Sequence, residues 1–459
     1  MTDFVLGCWR ASVCGLFLIS LVAVSSRAQQ DAVAQTPPMG WNSWDAYGES
    51  VKENDIRGTA EWIAKNLKTY GWEYVVVDSG WYVTNHSAGF NAKDAKFSLD
   101  EYGRYTPAVN TIPSAAKGGG FRPLADYVHG LGLKFGLHIL RGIPKEAVEK
   151  NLPIEGSRFH AKDAADTGDS CVWNPFNYGL NTASPAAQAY YDSLARQFAE
   201  WRVDFVKIDC ISSRPYKGEE IKLISQALRK TGRSIVLSLS PGAAPLDKAE
   251  EMARYANMWR ISDDEWDVWY GTESFPQGVN NQFERAAEWA RYSRPGNWPD
   301  ADMLAIGRLE PSPGWGEPRA TRLSKDEQRT LLTLWSIFRS PLIMGGNLLL
   351  CDDWTKSLLT NAEVIAVDQH SKNNHAVETT AKAAAWVAER EDGNGYYAAL
   401  FNRSDGAQTL HYEWKQLGLN SSTGYKVRDL WEQKDLGAKS AMDAPLAPHA
   451  ATLYWVRAE

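Results

Sequence analysis

The chain has few of the residues that build metal sites and disulfide scaffolds. Five cysteines and eight histidines are spread over 459 residues, without a Cys-x-x-Cys or His-Glu-x-x-His spacing. Nothing in the sequence therefore points to a built-in metal or to a cofactor. Excess positive charge is also missing. With 49 basic against 56 acidic residues and a net charge of -7, the chain lacks the cationic surplus that nucleic acid or an anionic membrane attracts. Past the first 28 residues no apolar run is long enough to span a bilayer. There is no Gly-x-Ser-x-Gly elbow of a serine hydrolase, and Lys117-Gly-Gly-Gly120 lacks the spacing of a phosphate loop and reads as a turn.

Aromatic residues, by contrast, are abundant. Twenty tryptophans supply flat apolar faces with one N–H donor each, a chemistry suited to sugar rings as well as to core packing. Apolar residues at 44% and charged residues at 23% are ordinary globular proportions, so a sizeable core is expected in two or three domains. Residues Ala11 to Val24 form a short apolar run, preceded by Arg10 and followed by Ser26-Arg27-Ala28. That is the layout of a signal peptide over 1–28, and it predicts a secreted or periplasmic protein with no membrane attachment after signal removal. Cleavage would remove Cys8 and Cys14. Cys171, Cys210 and Cys351 would remain, too few for a disulfide scaffold but enough for one bridge.

From Pro37 onward short apolar strands alternate with helical segments. Tyr74 to Val77 is a strand run ending at Asp78. The helix before it is predicted to start at Asn54 and stop at Gly71. Further strands are expected over 133–140, 203–208, 235–239, 257–261 and 340–345. Ser184-Pro185 opens a helix to about Trp201, a second helix spans 219–230, and a third covers about 282–293. Ser324-Lys-Asp-Glu327 is a capping box for another helix reaching about Phe338. Such alternation implies parallel strands with crossover helices, and its length fits a (β/α)8 barrel over 36–375. Near residue 375 helical periodicity stops. Ala383–Arg390, the Asp392-Gly393 turn and Tyr396–Asn402 read as a hairpin, with further strands at 425–431 and 451–456, so 378–459 is predicted to be a small antiparallel β-sandwich.

In such a barrel the functional residues sit at the C-terminal strand ends. There the sequence offers Trp41 to Asp45, Asp78, His138 with Arg141, Lys207 with Asp209, Ser238 to Ser240, Arg260 with Asp263 and Asp264, and Asp300 with Asp302. Several carboxylates beside aromatics favour acid–base or nucleophilic work on a neutral polyhydroxy ligand. A glycosidic bond needs two carboxyl groups, because the alcohol leaves poorly and the transition state is cationic. Lys207 lies two residues before Asp209 on one strand and so faces the same side. Its ammonium is expected to keep Asp209 ionised.

At these residues the chain resembles the α-galactosidase and α-N-acetylgalactosaminidase family, the melibiase-like glycoside hydrolase family 27, from Pro37 to the C-terminus. Pro38-Met-Gly-Trp-Asn-Ser-Trp44 resembles the family's opening strand. Lys207-Ile-Asp209 resembles its nucleophile motif, and Trp259-Arg-Ile-Ser-Asp-Asp-Glu-Trp266 its acid/base motif. Trp298-Pro-Asp-Ala-Asp302-Met-Leu and Pro341-Leu-Ile-Met344 resemble the last barrel segments. The resemblance implies a (β/α)8 barrel with a C-terminal β-sandwich, and a covalent retaining mechanism with Asp209 as nucleophile and Asp264, rather than Asp263, as acid/base. It places Trp44, Asp78, Lys207, Arg260 and Asp302 around the sugar, and it implies a Cys171–Cys210 bridge.

Departures from the family pattern bear on the substrate. Where α-galactosidases carry two adjacent Asp gripping the 4- and 6-hydroxyls, this chain has Asp78-Ser79. His138 replaces a Tyr, and Ser240 stands where a Glu faces the 2-substituent. With Ala243 after it, Ser240 resembles the α-N-acetylgalactosaminidase pattern. The resemblance thus implies an exo-acting α-glycosidase on oligo- or polysaccharides, most simply an α-galactosidase. α-N-acetylgalactosaminidase, β-L-arabinopyranosidase, an isomaltose-releasing α-glucanase and a non-catalytic carbohydrate-binding protein are the alternatives.

Overall fold

The computed structural model describes residues 33–85, 94–420 and 424–458. The 1–28 segment expected to be a signal peptide, with Cys8 and Cys14, lies outside the described residues.

Eight parallel strands form one curled sheet: β1 (Met39–Asn42), β2 (Tyr74–Val77), β3 (Lys134–Leu140), β4 (Phe205–Asp209), β5 (Val236–Leu239), β6 (Met258–Arg260), β7 (Trp298–Asp300) and β8 (Leu342–Met344). Their order is β7-β6-β5-β4-β3-β2-β1-β8. Closure between the two edges comes just past β7. Leu304 N–H donates to the Ile343 carbonyl at 2.7 Å, and Gly345 N–H donates to the Leu304 carbonyl at 3.1 Å. The sheet is thus a (β/α)8 barrel. It leaves no unpaired edge, which suits strands as uniformly apolar as Tyr-Val-Val-Val.

The crossover helices are α1 (Glu53–Asn66), α2 (Arg122–Gly130), α3 (Pro185–Glu200), α4 (Gly218–Lys230), α5 (Ala249–Tyr255), α6 (Gln282–Trp289), α7 (Lys325–Phe338) and α8 (Ala362–Gln369). Ser184 caps α3 through a bond from Ala186 N–H, and the Ser324/Glu327 capping box opens α7. Asn54 does not cap α1. The cap is Lys52, whose N–H donates to Asp55 Oδ2 at 3.0 Å. An acidic residue at the third helical position ties the entry down without a short polar side chain at the cap. The helix also stops at Asn66, and a 3-10 turn carries the chain to Gly71.

The second sheet begins at Ser371, ahead of the change in composition. It contains β9 (Ser371–Thr379), β10 (Ala383–Arg390), β11 (Tyr396–Asn402), β13 (Tyr425–Asp429), β14 (Lys434–Lys439) and β16 (Ala451–Ala458), in the order β9-β10-β11-β16-β13-β14. β9 was hidden in the sequence because it is a polar edge strand with two register shifts. A two-stranded ribbon, β12 (Gln408–Glu413) with β15 (Ala441–Leu446), makes the other layer. On β10, Ala384, Trp386 and Ala388 join the main core, while Ala383, Ala385 and Val387 join a separate core under the ribbon. The strand is apolar on both faces because both are covered.

The β-sandwich is clamped to the barrel. Arg403, 3% exposed at its side chain, bonds Glu284 of α6 and the Asn280 side chain. His449 stacks on Trp269 at 4.1 Å. Arg403→Ala would remove these bonds and the guanidinium packed 4.6 Å over the Phe283 ring, leaving a void while water takes over the exposed Glu284 carboxylate. We expect a loss of about 1–2 kcal/mol of stability, from the lost bonds and packing, read as a lowered midpoint in urea with the barrel's tryptophan fluorescence as probe. An unchanged midpoint would show that the clamp contributes nothing.

Candidate active site

Alternation along the strands decides which side chains reach the barrel axis. His138 and Lys207 are register partners across β3 and β4, and Lys207 pairs in register with Ser238 of β5. Lys207 Nζ meets Asp78 Oδ2 at 2.9 Å. The same Oδ2 accepts from Asn42 Nδ2 at 2.7 Å, and Oδ1 accepts from Ser79 N–H at 2.8 Å. Burial alone would raise the Asp78 pKa, but the Lys207 ammonium, then His138, outweigh it and hold the carboxyl far below its ordinary range. Lys207, largely withdrawn from water, is held above its ordinary value by Asp78 and Asp302. The expected partnership of Lys207 with Asp209 is therefore corrected. The lysine serves Asp78, because both lie deep in the barrel while Asp209 lies one step further up the strand.

Asp209 takes its bonds from elsewhere. Cys210 N–H donates to Oδ1 at 2.7 Å, Trp173 Nε1 donates to Oδ2 at 3.2 Å, and His138 Nε2 lies 3.6 Å from Oδ2. Cys210 has φ +65°, so the chain turns sharply just after Asp209. A disulfide joins Cys210 to Cys171. It ties the β4 exit to the loop over 141–183, where a three-stranded sheet not legible in the sequence presents Trp173.

On the β6 side Arg260 bonds Asp302 at 2.7 Å and reaches Asp264 at 3.3 Å. Asp263 is engaged by Arg214. Asp302, at φ +87°, also accepts Glu265 N–H at 2.8 Å. Burial, with Asp264 and Asp300 nearby, raises its carboxyl despite Arg260. Beneath lie Asp45 and Glu265, both fully buried, with no hydrogen-bond partner for either carboxyl among the described residues. Burial, then Asp302, raises both well above the ordinary carboxylic range. Neutral acids there avoid adding two more buried anions to a floor that holds two cations.

These walls enclose a cavity of about 420 Å3. Of the residues expected at the site, Trp44, Asp78, Ser79, His138, Lys207, Asp209, Ser240 and Asp264 line it. Arg260 and Asp302 do not; they stand behind the lining and brace Asp264. Arg141 is diverted to Asp169 and Glu220, and Ala243 is exposed and off the lining. Sequence reasoning missed Trp173, Arg214, Trp266, Phe275, Met303 and Trp315 in the wall. Trp266 and Met303 closed motifs already singled out; the others lie in loops with no pattern to mark them. Among the described residues no group of three or more His, Cys, Asp or Glu side chains is placed to hold a metal ion. No helix there is long and apolar enough to cross a membrane.

One corner departs from simple pairing. Glu49 lies behind Ser79 and Gly80, where a Cβ on Gly80 would come within 2.6 Å of Glu49 Cβ. Glu49 Oε1, Ser79 Oγ, Tyr82 Oη and His138 Nδ1 are all buried there, and the Ser79 hydroxyl faces both Glu49 and Tyr82. Burial pushes the Glu49 carboxyl up to about 7, with His138 and then the Ser79 hydroxyl acting the other way.

A family model described as alpha galactosidase A matches residues 174–370, and one for the alpha galactosidase C-terminal beta sandwich domain matches 380–456. A family 27 β-L-arabinopyranosidase of Geobacillus stearothermophilus, solved with arabinose, is 46% identical. The alignment covers 94% of this chain and 98% of that one, with a TM-score of 0.88. α-Galactosidase I of Mortierella vinacea is 25% identical over 93% of this chain and 98% of that one, with a TM-score of 0.71. The rice α-galactosidase is 28% identical, over 93% of this chain and 86% of its own.

The Glu49 corner predicts a pH effect on stability. A carboxyl raised from 4.5 to about 7 by folding binds a proton in the folded state that the unfolded chain releases. Its contribution is complete below about pH 4.5 and is lost as the pH rises through about 7. Glu49→Gln should flatten the difference in urea-derived stability between pH 5 and pH 7.5. An unaltered pH dependence would rule out this titration.

Proposed function

The chain belongs to glycoside hydrolase family 27, and from that premise we propose that it is an exo-acting retaining glycosidase of terminal galacto-configured pyranosides. Its preferred substrates are β-L-arabinopyranosides, with α-D-galactopyranosides next. The observation that carries this reading is the ionised Asp78, fixed at the blind floor of the cavity by Lys207 and Asn42. A carboxylate so held accepts hydrogen bonds from sugar hydroxyls without reorganising. A closed floor admits a chain end and not the middle of a polymer.

Asp209 attacks the anomeric carbon as the bond to the leaving oxygen breaks, and Asp264 gives that oxygen its proton. A glycosyl ester on Asp209 results. Asp264, now a carboxylate, takes a proton from water, which attacks the ester and frees Asp209. The Cys210 N–H and Trp173 bonds aim the nucleophile. Arg260 holds Asp264 in place and is itself anchored by its bond to Asp302.

Preference for arabinose rests on Ser79. β-L-arabinopyranose has the ring configuration of α-D-galactopyranose without the exocyclic hydroxymethyl group. Replacing a charged acceptor for that group by Ser79 removes a reason to require it. The Geobacillus relative, named for this sugar, supports the same choice. Ser240 in the lining supports a second reading, α-N-acetylgalactosaminidase activity.

The test is a panel of 4-nitrophenyl β-L-arabinopyranoside, α-D-galactopyranoside and α-N-acetylgalactosaminide, with NMR of the first-formed anomer. Arabinoside is expected to lead, with retained configuration. Asp209→Asn should lower kcat/KM by about 10^3-fold or more, as loss of a covalent nucleophile does. An inverted product would sink the double displacement, and N-acetylgalactosaminide alone being cleaved would move the specificity to the second reading.

A further inference from the structure

The cavity is larger than the corner that Asp78, Lys207 and Asp209 define, and its outer wall is a separate construction. Trp266, Trp315 and Phe275 form a chain of aromatic contacts, with ring centroids 5.5 Å apart for Trp266–Trp315 and 6.0 Å for Phe275–Trp315. Arg319 and Arg322 lie over Trp315 at 5.4 and 5.3 Å, and Asp267 anchors Arg319 through a two-pronged bond. The tryptophan is thus fixed from behind. Phe275 is 46% exposed, although large apolar side chains gain by burial.

The loop that carries Phe275 is tied to the proposed acid/base residue. Gln277 N–H donates to the Asp264 carbonyl at 2.9 Å, and Trp266 N–H donates to the Gln277 carbonyl at 3.1 Å. At the loop's neck Gly271 passes so close to Gly278 that a Cβ on it would lie 2.3 Å from the Gly278 nitrogen. Thr272 N–H closes the loop onto the Pro276 carbonyl at 2.7 Å. Phe275 is therefore held out at a fixed distance from Asp264. Arg214, paired with Asp263, and the Trp173 indole contribute polar groups to the same cavity.

We propose that Phe275 and Trp315 form the binding platform for the leaving group, and that this group is a second pyranose rather than an aromatic or alkyl aglycone. The assignment rests on the roles given to Asp209 and Asp264 above. A group protonated by Asp264 must depart within hydrogen-bonding reach of it, on the side where this loop stands. Aromatic faces flanked by a guanidinium and a carboxylate match a sugar, whose C–H face packs on rings while its edge hydroxyls take hydrogen bonds. A purely apolar aglycone would leave the Arg214–Asp263 pair unused.

The test compares kcat/KM for three substrates sharing one glycone, the sugar that the wild type cleaves fastest: the glycosyl fluoride, the 4-nitrophenyl glycoside and a disaccharide. Phe275→Ala should lower the disaccharide-to-fluoride ratio by about 10-fold, the scale of one lost aromatic contact, and Phe275→Tyr should restore it. Trp315→Phe should lower it less. An unchanged ratio, or a fall confined to the nitrophenyl glycoside, overturns the assignment. If the wild type cleaves none of the glycosyl fluorides of the three panel sugars, the fault lies with the glycone reading and the premise of the platform falls with it.

Discussion

The site is organised by two buried ion pairs at the barrel floor, Lys207 with Asp78 and Arg260 with Asp302. Ion pairs largely out of water are tolerable only with matched partners and further hydrogen bonds. Those needs fix much of the surroundings. Asn42 and Ser79 complete Asp78, Glu265 N–H completes Asp302, and burial raises the nearby Asp45 and Glu265 carboxyls well above their ordinary range. The pairs hold Asp78 as a ready-made anion and Arg260 as a fixed brace behind Asp264. A floor built this way has little freedom to rearrange when a substrate arrives.

Above the floor the geometry depends on places where the strands stop. Cys210 and Asp302 both adopt positive φ without being glycine, a conformation that costs energy and must be imposed by the surroundings. At Cys210 the disulfide to Cys171 adds a second tether and draws Trp173 to Asp209. At Asp302 the bond between Arg260 and its carboxylate does the equivalent work. In both cases the turn, not the strand, aims the functional group.

The second domain takes part in this indirectly. Its main sheet lies between the barrel helices and a two-stranded ribbon, so β10 is apolar on both faces. Through Arg403 and His449 it holds α6 and the segment around Trp269. That segment leads into the neck of the loop carrying Phe275. The sandwich thus supports the barrel's outer wall without lining the cavity.

The sequence by itself determined the barrel, the later β domain and most of the inner site. Strand and helix periods are local, and barrel strands end at predictable sides of the cavity, so Asp78, His138, Lys207, Asp209, Ser240 and Asp264 were legible from strand-end position or motif. Resemblance, not spacing, singled out the cysteine pair. Pairing was beyond reach. Which carboxylate Lys207 serves depends on depth along the barrel axis, a coordinate that side-chain alternation does not carry. The polar edge strand β9 and the small sheet over 141–183 lacked a hydrophobic period. The aromatic outer wall comes from two loops that follow the neighbouring strands β6 and β7, with Trp266 and Trp315 49 positions apart, and only the packing of those loops brings Trp315 onto Trp266 and Phe275. Tertiary structure also decided that Arg260 and Asp302 act from behind the wall, because burial is a property of the whole packed chain.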